Sequence, residues 1–384
     1  MALIGQINTT TAHWQSAAEG QQHAIARDSN GILWAAYGDE DLPDGTVLAA
    51  YSLDGGVTWT EETAIAFNSR CYPWAGISIV ISSDNVPHII YAYDPVAGNS
   101  EIRYVNRAGG VWGAPETVVD HGVALSASNQ KAAIDSTDTI HIIYQRGTIR
   151  YIFGTSGAWS LFEVADAAGT RPDMTINIAD QPVIVFVSAV PVGIHVRYRA
   201  GGVWQPVDTV DPTDGINPRP QIEVDSVGDY HVAWMNEELF PPWNYEVYYR
   251  KKQGGGWLAR QELDSDVIRW DVGVGLDDED NAYVFYQYRG ADEEVYYRKV
   301  TNGTVLGVKT AITAGFLRPN TESSVFTFLY HKYPANGVLA AALQPVVALL
   351  DEVGADADVF FFASGPVLPF SLPIVQTDPA TEVG

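Results

Sequence analysis

Four arginines recur at nearly even intervals, each followed by a proline or a tryptophan: Arg171-Pro172, Arg219-Pro220, Arg269-Trp270 and Arg318-Pro319, with Tyr72-Pro73 at the matching point upstream. Guanidinium groups gathered from such distant segments would clamp a carboxylate or a sulfate, because the planar fork matches two oxygens of an anion. Their regular phase argues equally for a duty inside the fold. Asp166 and Asp264 each precede an arginine by five residues, and Asp211 precedes Arg219 by eight. Asp–Arg pairs joining repeated units would account for both series.

Residues that interrupt a repeat are freer to meet a ligand. The segment Glu237-Glu-Leu-Phe240-Pro-Pro-Trp243-Asn-Tyr245 sets Phe240 and Trp243 beside two prolines, and Tyr72, Trp74 and Trp270 adjoin the arginine-series positions. Rigid aromatic faces of this kind stack on a sugar ring or anchor a protein partner, and they pack between sheets equally well. Asp39, Asp41 and Asp44, followed by Gly45, are similar to a calcium loop with one carboxylate a position late for EF-hand spacing; a solvated acidic loop has the same composition. His88, His141 and His231 each stand three residues before an aromatic that closes a strand, where other copies carry Trp34, Val183 and Tyr283, so they read as packing residues. His23, His121 and His331 fall outside that phase and form no ligand spacing.

The elements that must position these groups are strands. A short phrase ending in tyrosine or phenylalanine recurs at Tyr51, Tyr104, Tyr151, Tyr198, Tyr249, Tyr297 and Phe361. After the first five copies comes a glycine turn and then a tryptophan: Trp59, Trp112, Trp159, Trp204 and Trp257. A strand, a glycine turn and a strand make a hairpin, and a second hairpin precedes several of the phrases. Two hairpins in a period near fifty residues make a four-stranded sheet with two apolar faces, which must stack on copies of itself. The expectation is an all-β, seven-bladed β-propeller of four-stranded antiparallel blades forming one domain over 1–384. Its blades fall near 20–66, 72–120, 128–166, 171–211, 219–264, 269–313 and 318–375. Residues 330–356 parse poorly and read as an insertion in the last blade. Ring closure then draws its outer strand from residues 3–8 or from 367–375, with 1–19 as closing strand or docking arm.

At the first hairpin the residues run Ser52-Leu-Asp54-Gly-Gly56-Val-Thr58-Trp59. This resembles the Asp-box, the repeat of bacterial neuraminidases and other sialidase-like propellers, at every defining position: Ser52, Asp54, Gly56, Thr58 and Trp59. The resemblance implies a structural turn on the rim, whose aspartate accepts hydrogen bonds from its own loop, rather than a catalytic group. It also implies an Arg-Ile-Pro phrase near the N-terminus of an active sialidase, and this chain has none.

Composition narrows the partners. Lys and Arg number 22 against 47 Asp and Glu, a net charge of −25, which repels nucleic acid and anionic membranes. The most apolar stretch, residues 338–350, is interrupted by Gln344 and Pro345 and falls short of the ~20 residues needed to cross a bilayer. Cys71 is the one cysteine, so no internal disulfide staples the fold. No secretory signal is legible at the N-terminus, which points to cytoplasmic synthesis and to export, if any, within a larger particle. No cofactor is expected beyond the candidate calcium. With no complete catalytic set, the leading expectation is a non-enzymatic module that binds a glycan or protein receptor, or other subunits of a larger assembly such as a bacteriophage virion or tail. The alternative is a divergent glycoside hydrolase or a propeller-type polysaccharide lyase acting on an acidic glycan through the arginine series. A scaffold that docks through the last blade is a third.

Overall fold

The computed structural model describes residues 2–7, 23–39, 46–66, 76–93, 99–123, 127–212, 216–237, 245–265, 268–277, 279–288, 294–311, 326–329, 346–353 and 356–363. They form seven antiparallel sheets, with helix confined among them to one 3-10 turn at Ala108–Gly110. In six sheets the strand order follows the chain order. Their first strands are Ile25–Arg27, Ile77–Ile81, Ser128–Ile134, Gly169–Ile176, Ile216–Val224 and Ile268–Leu276. Each first strand lies against the first strand of the next sheet. Phe326–Leu329, which begins the seventh sheet, lies against both Ile268–Leu276 and Ile25–Arg27. This radial stacking of meandering sheets is the architecture of a β-propeller.

The seventh sheet joins the two ends of the chain. Asp356–Ala363 pairs with Val346–Val353 on one side and with Ala2–Gln6 on the other, so the N-terminal stretch takes the outer position for which two segments competed. Residues 367–375 lie outside the described residues. Of the insertion expected over 330–356, residues 330–345 lie outside the described residues, and the expectation is corrected at Val346–Val353, a regular strand paired along its whole length.

Stacking covers a sheet on both faces, which explains the burial pattern. In Pro182–Ala189 the consecutive residues Val183, Ile184, Val185 and Phe186 are all buried, alternate side chains facing opposite neighbours. The closing aromatics Tyr37, Tyr91, Tyr144, Phe186, Trp234 and Tyr286 are all buried, each contributing about 1.5–3 kcal/mol. The register corrects two copies of the tyrosine phrase. Opposite equivalent residues of the second strand stand Tyr104, Tyr151, Tyr249 and Tyr297, but in the first and fourth sheets Ala49 and Val196. Tyr51 and Tyr198 fall two residues farther along, where the strand emerges from the core.

The turn between the first and second strands repeats with great regularity. One side-chain oxygen accepts two N–H groups of its own turn: Asp28 from Asn30 and Ile32, Asp135 from Thr137 and Thr139, Asn177 from Ala179 and Gln181, Asp225 from Val227 and Asp229, Asp277 from Glu279 and Asn281. The fourth residue of four such turns has positive φ, namely Asn85 (64°), Asp138 (63°), Asp180 (55°) and Asp280 (61°). Its side chain receives the N–H and hydroxyl of a serine in the preceding sheet: Ser29 to Asn85, Ser83 to Asp138, Ser136 to Asp180, Ser226 to Asp280. Between the fourth and fifth sheets the latch is replaced by an apolar contact, Ile178 against the bare α-carbon of Gly228, where a Cβ would come within 2.9 Å of Ile178 Cδ1.

The histidines expected to pack do more than fill space. His141 joins Asp135 Oδ2 at 3.1 Å to the Tyr151 hydroxyl at 2.5 Å, and His231 joins Asp225 Oδ2 at 3.1 Å to the Tyr249 hydroxyl at 2.7 Å. His88 links Ser82 Oγ at 2.9 Å to the Tyr104 hydroxyl at 2.6 Å. Each relay ties three strands of one sheet. Burial pushes the Asp135 carboxyl upward, but hydrogen bonds from His141, Thr137 and Thr139 outweigh it and hold it at about 2. Burial likewise opposes ionisation of Asp225, and His231 and Lys251 reverse it, keeping this carboxyl well below the usual range.

The Ser52–Trp59 turn is closed by its own side chains. Asp54 Oδ1 accepts from Ser52 Oγ and the Thr58 N–H, both at 2.8 Å, while its Oδ2 accepts from Thr58 Oγ1 at 2.6 Å. Ser52 Oγ accepts the Gly56 N–H at 2.7 Å, and Trp59 Nε1 donates to Gly56 O at 3.0 Å. Later tryptophans reach farther: Trp112, Trp159 and Trp257 donate to Glu62, Glu116 and Asp208 of the preceding sheet.

The two kinds of acidic contact should differ in energy. Asp225 is buried and holds Lys251 Nζ at 2.9 Å, so Asp225→Ala is expected to cost about 3–5 kcal/mol in urea unfolding. The exposed latch residue Asp280 should cost only ~1–2 kcal/mol when replaced by alanine. The reverse order would refute the assignment of the relay as the stronger tie.

Candidate functional site

A first strand enters its sheet at the edge opposite the latched turns, and there the ladder is broken in four sheets, at one distance from the turn in the third and fourth and farther from it in the fifth and sixth. The register slips between Ser128 and Lys131, Thr170 and Asp173, Ile216 and Arg219, and Arg269 and Val272. A bulge frees one residue from the ladder and turns its side chain, a device common beside binding sites. Asn129 (φ 51°) and Arg171 (φ 52°) hold left-handed conformations that non-glycine residues adopt at a cost, so the surroundings must hold them there. One holder is Gln145, whose Oε1 accepts the Arg171 N–H at 2.9 Å and Asn129 Nδ2 at 3.3 Å.

Arg171, within its bulge, and Arg219, paired with Met235 just after the slip of its own strand, meet at one cavity of about 180 Å³, lined by Asn129, Lys131, Arg171, Pro172, Arg219, Pro220 and Gln221. The flanking prolines withhold N–H groups from the ladder. Lys131, Asp173 and Gln221 stand at equal distances before the turn residues Asp135, Asn177 and Asp225, so three sheets contribute the next layer. Gln221 is 5% exposed and its Oε1 has no hydrogen-bond partner, leaving a buried acceptor in the cavity wall. Asp173, wholly buried, accepts His23 Nε2 at 2.9 Å and the Ile222 N–H at 2.9 Å, which ties the segment before the first sheet to the fourth and fifth.

Of the other expected ligand residues, Arg269 and Trp270 lie in the strand Ile268–Leu276, but Arg269 stands two residues farther from its turn residue Asp277 than Arg171 and Arg219 stand from theirs. The wider bulge therefore breaks the regular phase that the sequence suggested. Arg318, Tyr72, Trp74, Phe240 and Trp243 lie outside the described residues. So do Asp41 and Asp44 of the acidic loop, Asp39 being the last residue of Leu33–Asp39. Among the described residues no group of three His, Cys, Asp or Glu is placed to hold a metal ion. The acids suspected of pairing with the arginine series hold other cations: Asp166 meets Arg197 at 3.4 Å, Asp211 meets Arg260 at 3.5 Å and Asp264 meets Lys309 at 3.2 Å.

Sequence reasoning missed Asn129, Lys131 and Gln221, whose signal was their spacing from the turn rather than their type. It also left His121 unassigned. The outer strand of the second sheet, Glu116–Val123, runs on to His121, whose Nε2 lies 2.8 Å from the Tyr144 hydroxyl. Burial first, then the charges of Arg146 and Arg150, lower the His121 pKa to about 4, so the ring is neutral at pH 7. Burial raises the Tyr144 hydroxyl well above its usual value.

No protein-family profile and no curated protein matches this chain. Solved structures share its fold. A polysaccharide lyase described as a PL25 ulvan lyase superposes with a TM-score of 0.65 at 10% identity, covering 94% of this chain and 96% of that one. The polysaccharide lyase Uly1 gives 0.56 at 13% identity, with 94% and 99% covered. A mutant of AofleA from Arthrobotrys oligospora gives 0.51 at 12%, with 80% and 90% covered.

His88, lowered to about 4 by burial, and His121 should titrate near that value in ring proton spectra rather than near 6.5. Because both folded values lie below the unfolded one, the unfolded chain takes up the protons first. Stability is therefore expected to hold above about pH 6.5 and to fall as the pH drops towards about 4, which thermal unfolding across that range would measure.

Proposed function

We propose that the chain closes into a seven-bladed propeller with Asp-box turns on its rim, and that it binds an acidic polysaccharide at the cavity and cleaves it as a lyase. The observation that carries this reading is the convergence of Arg171, Arg219 and Lys131 on one cavity in a chain of net charge −25. Where acids outnumber bases so heavily, cations on a shared concave surface have an anionic ligand as their natural complement. The orphan Gln221 Oε1 suits a ligand that also carries hydroxyl donors. Sugars with carboxylate or sulfate groups supply both.

The same lining favours elimination over hydrolysis. Hydrolysis by the usual route needs two carboxyl groups flanking the bond, and the cavity lining contains no acid among the described residues. In elimination an arginine neutralises the carboxylate of a uronic sugar, which acidifies the neighbouring C–H bond. A base takes that proton, the electron pair forms a carbon–carbon double bond, and the glycosidic oxygen leaves and is protonated. Arg171 and Arg219 are assigned the clamp, and Tyr72, matched to the arginine series in the second repeat, the proton transfer. The fold shared with two polysaccharide lyases agrees with this reading.

Incubation with uronate-containing polysaccharides should generate unsaturated ends visible by ultraviolet absorbance. Arg171→Ala and Arg219→Ala should each weaken binding about 10–100-fold, the loss of one charge-assisted contact. Tyr72→Phe should abolish product while sparing affinity. Saturable binding without product would leave a binding module, such as a phage tail component, and absence of binding to any acidic glycan would overturn both.

A further inference from the structure

The second strand of the third sheet, Ile140–Arg146, separates two cationic surfaces. Gln145 faces the cavity and receives Arg171 and Asn129. Its neighbours Tyr144 and Arg146 face the other way, as alternate residues of a strand must, towards the second sheet. There Arg146 Nη2 donates to His121 O at 3.4 Å and the Tyr144 hydroxyl meets His121 Nε2. Arg150 of the third strand joins them, its Nη1 3.4 Å from His121 Nδ1 and its guanidinium 4.5 Å above the Phe162 ring. Phe162 stands edge-on to His121 at 5.5 Å and is 43% exposed.

Arg150 differs from several arginines of the neighbouring strands. Arg103, Arg107, Arg197 and Arg199 each hold a carboxylate. Arg150 holds none among the described residues, and its Nε is buried without a hydrogen-bond partner. In a chain with 47 acids and 22 bases, Arg150 thus lies over an exposed ring with no acid paired to it among the described residues. Burial first, and then Arg146 and Arg150, oppose protonation of His121, while Asp120 favours it. His121 itself lies in the strand end that exceeds the four-residue outer strands of the third, fourth and fifth sheets.

We propose that the surface where Arg150, Phe162 and His121 meet, between the second and third sheets, is a second sugar subsite, in which Arg150 takes a carboxylate or sulfate and Phe162 stacks on the ring. This rests on the acidic-glycan reading of the cavity and extends it. The two positions lie on opposite faces of one sheet, so one ligand fills both only if it is an oligosaccharide. Selectivity for chain length and for the spacing of negative charges follows from that separation. The guanidinium stacked on Phe162 is pre-oriented, so little freedom is lost when its remaining N–H groups meet an anion.

Calorimetry with glucuronate alone and with a tetrasaccharide of uronic acids tests the subsite. For the unaltered protein the tetrasaccharide should bind more tightly. Arg150→Ala and Phe162→Ala should each weaken the tetrasaccharide about tenfold and leave glucuronate unchanged. Arg171→Ala should weaken both. Because Phe162 is partly exposed, its variant keeps the test valid if Arg150→Ala fails to fold. Unchanged tetrasaccharide affinity in Phe162→Ala and a folded Arg150→Ala, with Arg171→Ala still impaired, would overturn the subsite and spare the cavity. No binding of either probe to the unaltered protein would overturn both.

Discussion

No sheet in this protein has a core of its own. Each presents two apolar faces and can bury them only against its neighbours, so the interface between sheets is the unit of stability. The second strands show it most directly: a run such as Val183 to Phe186 is buried at every residue, a pattern that a sheet open on one face would not tolerate. Polar groups drawn into those interfaces must then be satisfied locally, and the recurring devices do this. Asx oxygens cap their own turns, serines latch to the next turn, and histidines bridge turn to tyrosine.

These devices also account for much of the acidity. Aspartates at turn starts accept backbone N–H groups, others receive serine latches, and glutamates receive tryptophan indoles from the following sheet. Acids used in this way are committed to neighbours. Arg171 and Arg219 line a cavity, and Arg150 lies over the Phe162 ring. The latches on one edge leave the opposite edge, with its bulges, to vary: there the register slips and strand ends run past their counterparts.

Much of the architecture was readable before any coordinates, because stacked sheets impose the same demands on every copy and the residues repeat accordingly. The tyrosine phrase, the glycine turns and the turn acids all marked real strands and hairpins. The reading slipped where identity and register part. Tyr51 and Tyr198 matched the phrase by type but stand two residues from its buried position, which Ala49 and Val196 occupy. The strand Val346–Val353 is not legible in the sequence because continuous apolar residues carry no period.

For the site, the sequence by itself determined the ingredients: an arginine series in step with the repeat, and too few bases for any of them to be incidental. Tertiary structure decided which of them meet. A bulge adds a residue to one strand and none to its partner, so spacing along the chain cannot say where a side chain turns; Arg171 and Arg219 converge, whereas Arg269 is set apart by a wider bulge. Nor can chain order disclose that consecutive residues Tyr144, Gln145 and Arg146 serve opposite faces of one sheet. That is a property of the pleat, and it becomes visible only once both neighbouring sheets are in place.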